Sequence, residues 1–367
     1  MSAPVPLSDQ PVDPEMVARM RRIVTRELRP RVRDIDAGVY PADMLKVLGA
    51  AGAFAPLQAG APDLATAIEA MAIVSEECLT TAFCVWCQDA LLWYIANSEN
   101  DTPKGKFQLL VANGELLGGT GLSNPMKALS GIEPLRLKGT RAAGGWRVNG
   151  LLPWVSNLGD GHLFGICFAH ESDPAHLVMA LARCGDDGIT TNQNAHFIAL
   201  EGTATVSVAF RGAFIPDAMI LADPAAPFIQ RIRAGFILLQ TGMALGLVRG
   251  SIARMRECDC TPESANAYLA EGPDELEEAV VQLARTIHAL AKTRCEPGAD
   301  YLRSVLQARL RGSELSLAAA QALMLHAGAR GYVAGSAASR KLREAYFVAI
   351  VTPAIKHLRK DIAGLQT

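Results

Sequence analysis

Residues 116–160 read LLGGTGLSNPMKALSGIEPLRLKGTRAAGGWRVNGLLPWVSNLGD. Inside this stretch Trp146-Arg147-Val148-Asn149 and Leu152-Pro153-Trp154-Val155-Ser156 alternate with strand period, and Gly144-Gly145 supplies a hairpin turn. The segments on either side carry helical spacing instead. A small β-layer set between helical blocks creates a junction, and such junctions are where proteins commonly bury a flat ligand.

Working outward, residues 14–36 place Met16, Val17, Met20, Ile23, Val24 and Leu28 at helical spacing until Pro30 interrupts the run. Residues 41–54 open with Pro41 at a first helical position and reach Gly52 near their stop. LATAIEAMAIVSEECLTTAFCVWCQDALLWYIANS and PKGKFQLLVANGE are helix-forming as well. From Leu117 to about Leu221 short runs rich in Val, Ile, Phe and Leu alternate with turn residues, and Pro216 and Pro224 mark the exit. This composition predicts a compact antiparallel barrel or sandwich. Four helical segments follow, at 229–256, 274–296, 299–327 and 336–364. The acids Asp274, Glu275, Glu277 and Glu278 suit the N-terminus of the second. The expected fold class is α+β: an N-terminal helical domain (1–115), a central β domain (116–222) and a C-terminal four-helix bundle (223–367).

The bulk properties narrow the function. A chain of 367 residues with 50% hydrophobic and 20% charged content is long and apolar enough to bury a large core. A net charge of -2 and 6% aromatic content fit neither the basic surplus nor the stacking platforms of a nucleic-acid binder. The first residues, MSAPVPLSDQPVDPEM, lack a basic stretch followed by an apolar one. The longest apolar runs, within 235–246, are broken by Gln240, Thr241 and glycines, so no membrane span is expected. Of the eight cysteines, Cys84-Val85-Trp86-Cys87 and Cys258-Asp259-Cys260 lack the second pair that a zinc site needs. Reduced thiols in a cytoplasmic protein, with no metal, are the expectation.

Several short motifs share an order. Tyr40-Pro41-Ala42-Asp43-Met44-Leu45 leads to Leu48-Gly49 and Gly52; Asn149-Gly150 precedes Pro153-Trp154-Val155-Ser156-Asn157. Phe210 and Phe214-Ile215-Pro216-Asp217 close the β region, Leu325-His326-Ala327-Gly328 precedes Gly331-Tyr332, and Leu342-Arg343-Glu344-Ala345 follows. Together these resemble the acyl-CoA dehydrogenase superfamily of flavoproteins over nearly the whole chain. The resemblance implies a flavin between the β domain and the C-terminal helices, FAD in most members and FMN as the alternative. Trp154 and Ser156 match the pair that packs on the isoalloxazine and hydrogen-bonds its edge. Thr120, Leu122 and Ser123 fall where the family has its flavin-contacting loop. His326 and Gly328 lie in the altered glycine motif. Read without the family, Trp154 is a barrel-core residue, Ser123-Asn124-Pro125 an ordinary turn, and His326 a packing or capping residue. Trp86 and Gln88 match a helix lining the substrate cavity, or are core.

Two departures stand out. In the dehydrogenases a Glu removes the α-proton of an acyl thioester, a task suited to a desolvated carboxylate. Its position here is Thr352, and the alternative position used by some members aligns near Phe236. The family segment that holds the FAD pyrophosphate is replaced by a run containing Arg254 and Arg256, which either meet a phosphate or are solvated helix charges. His357, just beyond Pro353, is a candidate acid or base, or a helix-surface histidine. The resemblance thus implies a flavin-dependent oxidoreductase acting on an acyl thioester or related small molecule with a non-standard base. Its alternatives are a flavin monooxygenase resembling dibenzothiophene monooxygenase and a non-catalytic homologue. Family members associate through the bundle, so a homodimer or homotetramer is expected.

Overall fold

The structure, a computed structural model, describes residues 12–58, 62–258, 263–293 and 298–365. Cys260 of the C-x-C pair and the first residues of the chain lie outside them. Helix α1 (Pro14–Ile23) opens on Asp13, whose carboxylate accepts the Glu15 N–H at 2.9 Å. The chain stays helical beyond it, but the pitch widens over 24–28 and tightens over 29–31 around Pro30 before α2 (Val32–Asp36). Then come α3 (Ala42–Ala50), α4 (Leu64–Glu77), α5 (Leu79–Asn97) and α6 (Asp101–Ala112). Helices α4 and α5 are buried on nearly every face, which is why their sequences are apolar all round.

Among the described residues eight strands form one sheet: β1 (Gly118–Thr120), β2 (Lys138–Ala142), β3 (Gly145–Val155), β4 (Leu163–His170), β5 (Asp173–Arg183), β6 (Ile189–Asn192), β7 (Val206–Pro216) and β8 (Ile220–Ala222). The order is β6-β7-β3-β2-β4-β5-β8, and β1 also pairs with β4. The pairings are antiparallel except β1 with β4 and β2 with β4, which are parallel and use opposite ends of β4. Ser123-Asn124-Pro125 forms no turn; it opens a short helix, α7 (Ser123–Leu129). The sheet encloses its own core, with Trp146, Phe164, Phe168 and Phe210 near the centre, separate from the larger helical core.

The C-terminal block contains α8 (Ala226–Leu239), α9 (Thr241–Met255), α10 (Pro273–Lys292), α11 (Ala299–Ala327), α12 (Ala337–Ile350) and α13 (Ile355–Gly364). Two expected single helices are therefore pairs. The 229–256 run breaks at Gln240, whose side chain turns to bond other segments, and the 336–364 run breaks at Pro353, which cannot continue a helix. The run Ala226–Met255 is, against expectation, long and apolar enough to cross a bilayer, as is Leu79–Asn97; 89% and 94% of their apolar windows are buried inside this chain. Their apolarity serves the core.

The packing of α4 on α9 rests on Gly242, Gly246 and Gly250, one per turn along one face of α9. A Cβ on them would lie 2.7 Å from the Ile68 carbonyl, 2.0 Å from that of Ala72 and 2.2 Å from that of Glu76. The two backbones touch, so any side chain forces the helices apart. Gly246→Ala is expected to cost about 1–3 kcal/mol in chemical denaturation, the usual cost of overpacking. Gly105→Ala, on an exposed face of α6 with nothing within 4 Å of the added carbon, should instead gain roughly 0.4–1 kcal/mol.

Candidate functional site

Strand β3 buries Trp146, Val148 and Leu152 with the period of two, and strict continuation would bury Trp154 as well. Register shifts at Val148/Gly150 and at Leu152/Val155 change that phase. After the second, which contains Pro153, Val155 is buried and Trp154 is 45% exposed. The bulge thus moves Trp154 from the barrel core to the outer face, where its ring meets Phe197 edge-on at 5.5 Å.

Trp154 and Ser156 form one wall of a cleft of about 930 Å³ between the sheet and the helices. Thr120, Ser123, Thr203 and Thr205 also line it. The opposite wall is aromatic. Trp86 stacks on Phe83 with ring centres 5.5 Å apart, and Phe236 meets Trp86 edge-on at 5.1 Å. The third wall is the end of α12 and the start of α13, from Ala349 to His357. Thr120 hydrogen-bonds Tyr94 at 2.8 Å, and the Ser123 and Thr352 hydroxyls meet at 3.0 Å across the junction of the two blocks.

The structure therefore brings Thr120, Ser123, Trp154, Ser156, Thr352 and His357 to one cleft. Leu122 is turned inward, fully buried at the start of α7, and its backbone N–H donates to the Thr120 hydroxyl at 3.3 Å. His326 and Gly328 stand at the far end of α11. There the His326 Nε2 donates a hydrogen bond to the Glu271 carbonyl at 2.9 Å, and Gly328 ends the helix with φ of 55°. Gln88 holds the backbone instead of lining the cleft, donating to the Val111 and Leu116 carbonyls and accepting from the Gly118 N–H. Arg254 pairs with Glu77 and Glu257, and Arg256 with Asp274 and Glu277, so both are engaged within this chain.

Thr352 is pinned from below. Gln240, fully buried between α8 and α9, donates from Nε2 to the Thr352 carbonyl at 2.9 Å and accepts from Arg309 Nε at 2.9 Å. Arg309 also donates to the Val348 carbonyl at 2.8 Å and to Ser313. Burial pushes the guanidinium down to about 10, yet it stays charged at neutral pH. The C-terminal end of α12, negative by its dipole, faces that charge. On the sheet side, Arg343 clamps the 196–200 segment by donating to the Ile198 carbonyl at 2.7 Å while paired with Asp36.

His357 is no surface residue; it is 4% exposed. Its Nε2 meets the Ser130 hydroxyl at 2.6 Å and lies 3.4 Å from Asp361, leaving Nδ1 for a ligand. Asp361 is also bound by Arg233 at 2.5 Å. Burial works against its charge, but the bond from His357, the Arg233 charge and Ser130 overcome that, holding its carboxyl below the usual range. Glu133, also at the cleft, accepts from Asn124 at 2.9 Å. Phe236 and Thr352 offer no carboxylate, and the Cys87 thiol is pushed well up by burial and stays protonated. Sequence reasoning missed Glu133, Ser130 and Asp361, because nothing local in the chain joins residues 130 and 361.

Asn157, just past the cleft strand, is the joint of the assembly. It is fully buried with φ of 63°. Its Oδ1 accepts from Tyr40 at 2.7 Å, its Nδ2 donates to the Gly118 carbonyl at 2.6 Å and its backbone N–H donates to Thr203 at 2.8 Å. Asn tolerates the left-handed backbone better than other residues with a Cβ. Asn157→Ala should destabilise the protein by about 3 kcal/mol in urea titration, from two orphaned partners, one buried and one half-buried, plus the backbone penalty. Asn157→Gly should recover about 1 kcal/mol of that by removing the penalty alone. Asp361 supplies stability that is fully present above about pH 4 and is lost as pH falls through its lowered folded value. Asp361→Asn should accordingly flatten the acid limb of the stability curve below about pH 4.

No family model matches the chain. A curated relative, benzylmalonyl-CoA dehydrogenase of Aromatoleum aromaticum, is 27% identical over 142 residues, 38% of this chain. That match spans 37% of the relative's length. Butyryl-CoA dehydrogenase from Megasphaera elsdenii superposes over 100% of both chains with a TM-score of 0.86 at 16% identity. A glutaryl-CoA dehydrogenase from Mycobacterium smegmatis, solved in complex with FADH2, covers 100% of this chain and 98% of its own, with a TM-score of 0.79 at 17% identity. With its helical N-terminal block, its sheet and its C-terminal helices in that arrangement, the chain has the fold of the acyl-CoA dehydrogenase superfamily.

Proposed function

We propose that this protein is a flavin-dependent oxidoreductase that holds FAD, with FMN as the alternative, in the cleft between sheet and helices. The observation that carries this reading is the cleft itself: an exposed Trp154 face and a row of hydroxyls stand opposite the Phe83–Trp86–Phe236 aromatic wall. The residues fit a flat, amphipathic ring. The Trp86 Nε1 supports the fit, since it is buried without a hydrogen-bond partner while Trp86 lines the cleft. A bound flavin would supply the two-electron acceptor. This chain's residues would bind and orient: Trp154 by dispersion, Thr120, Ser123 and Ser156 by hydrogen bonds. The substrate class is an acyl thioester or a related small molecule, as the names of the similar proteins suggest.

Thr352 lacks the basicity for proton abstraction, and the group we assign to acid–base work is His357. Ser130, Asp361 and Arg233 fix its ring with Nδ1 unbonded. A second reading, a flavin monooxygenase, is favoured by the absence of a carboxylate at both Thr352 and Phe236, since oxygen transfer needs no α-proton base. A homodimer or homotetramer in the cytoplasm completes the proposal. Tyr268, Leu325, Tyr332 and Val333 expose an apolar face around the end of α11, and Cys78, Cys84, Cys87, Cys167 and Cys184 carry thiols with no disulfide.

The test begins with the purified protein. Chromatography of the released cofactor should find FAD; a colourless protein that takes up neither FAD nor FMN leaves only a non-catalytic role. Acyl-CoA thioesters should bleach the bound flavin anaerobically. Oxygen consumption without such bleaching, when reduced flavin is supplied, selects the monooxygenase. Thr352→Ala should leave turnover within a few-fold, whereas His357→Gln should lower kcat by about 10²–10⁴-fold. Equal turnover in the His357 variant would remove it from the chemistry.

A further inference from the structure

Three hydroxyls that line the cleft form a hydrogen-bonded chain. Ser156 Oγ lies 2.6 Å from Thr205 Oγ1, and Thr205 Oγ1 lies 2.7 Å from Thr203 Oγ1. Thr203 Oγ1 in turn lies 2.7 Å from the Leu200 carbonyl oxygen. Oxygens this close repel one another unless a proton lies between them. There are three contacts and three hydroxyl protons, one per residue.

The far end sets the direction. A carbonyl oxygen cannot donate, so the last contact uses the proton of Thr203. The contact between Thr203 and Thr205 must then use the proton of Thr205, and that between Thr205 and Ser156 the proton of Ser156. Thr203 is nearly fully buried, and the turn at 201–203 that carries it places its hydroxyl on the Leu200 carbonyl three residues back. Among the described residues no other group bonds to these three hydroxyls. The direction of the chain is therefore fixed by the fold, and Ser156 has no proton left for the cleft.

We propose that Thr203 and Thr205 make Ser156 an obligate hydrogen-bond acceptor, so that the cleft selects the reduced, N–H-bearing state of its cofactor over the oxidised state. The proposal rests on the flavin reading above. Two-electron reduction with proton uptake converts a bare ring nitrogen of the isoalloxazine into an N–H. Lone pairs on Ser156 repel the former and accept from the latter. Thr203 and Thr205 are positioning residues in this scheme: both line the cleft, but with their own protons committed they act through the proton of Ser156.

The decisive measurement is the midpoint potential of the bound flavin in the holoprotein. Thr205→Val keeps the volume but removes the oxygen that takes the Ser156 proton, freeing Ser156 to donate to the oxidised ring. The oxidised form should gain at least tenfold relative to the reduced form, a fall of about 30 mV for a two-electron couple. Thr203→Val, which removes the carbonyl anchor, should move the potential the same way. Thr205→Ser restores the hydroxyl and should return the potential to the parent value. If both valine variants retain flavin at the parent potential, or if Thr205→Ser shifts it as far as Thr205→Val does, the proposal falls while the flavin reading stands. If the parent protein takes up neither FAD nor FMN, the flavin reading falls first and this proposal with it.

Discussion

The cleft depends on one buried carboxamide. Asn157 joins the N-terminal block through Tyr40, the first strand through Gly118 and the 201–203 turn through Thr203, while its own backbone takes the left-handed conformation. Every polar atom of that side chain has a partner, so burial costs little and its position is fixed in three directions at once. Because it follows Trp154 and Ser156 directly, the same joint sets where those two side chains stand. A residue without both an acceptor and a donor in one plane would leave one of the three parts untied.

The opposite wall is held by a different device. Arg309 is a buried cation whose partners are neutral oxygens: Gln240, Ser313 and the Val348 carbonyl. A guanidinium's planar fork suits this, since its donors point in separate fixed directions. Through Gln240 it reaches the Thr352 carbonyl, so the interruption between α12 and α13 is anchored and not merely a place where two helices fail to join. On the sheet side, Arg343 does the same for the segment carrying Phe197. Both faces of the cleft are therefore irregular backbone tied down by buried or half-buried arginines, which permits side chains to be aimed without a moving loop.

Much of this was legible in the chain. The alternation in β3, the Gly144-Gly145 turn and the apolar helices α4 and α5 follow from local period and composition. The motif order points to the fold only through its resemblance to the acyl-CoA dehydrogenase superfamily. The residues that reached the cleft as expected lie at strand ends or beside Pro353, where local punctuation marks them. Those that did not are instructive. Leu122 sits beside Thr120 and Ser123, but an apolar side chain at a helix start turns to the core. His326 and Gly328 belong to a motif whose neighbours are the 264–271 segment, not the cleft. His357 does reach the cleft, but it reads as a surface histidine from its helix alone, since Lys356, Arg359 and Lys360 around it are polar; its contact with Ser130 joins residues 227 positions apart.

By itself the sequence determined the order of helical, strand and helical blocks, because period, caps and breakers act over a few residues; it did not show that two C-terminal runs each divide into two helices or that Ser123 opens α7. It also determined that no carboxylate stands at position 352 or 236. The tertiary structure decided which face Trp154 presents, since a bulge's phase depends on the partner strand and not on the strand that carries it. It decided the surroundings of His357 and the direction of the Ser156 hydroxyl as well. Those properties belong to contacts between residues some 50 to more than 200 positions apart. No local pattern records them, because the energy that fixes each proton and ring comes from groups that only folding brings together.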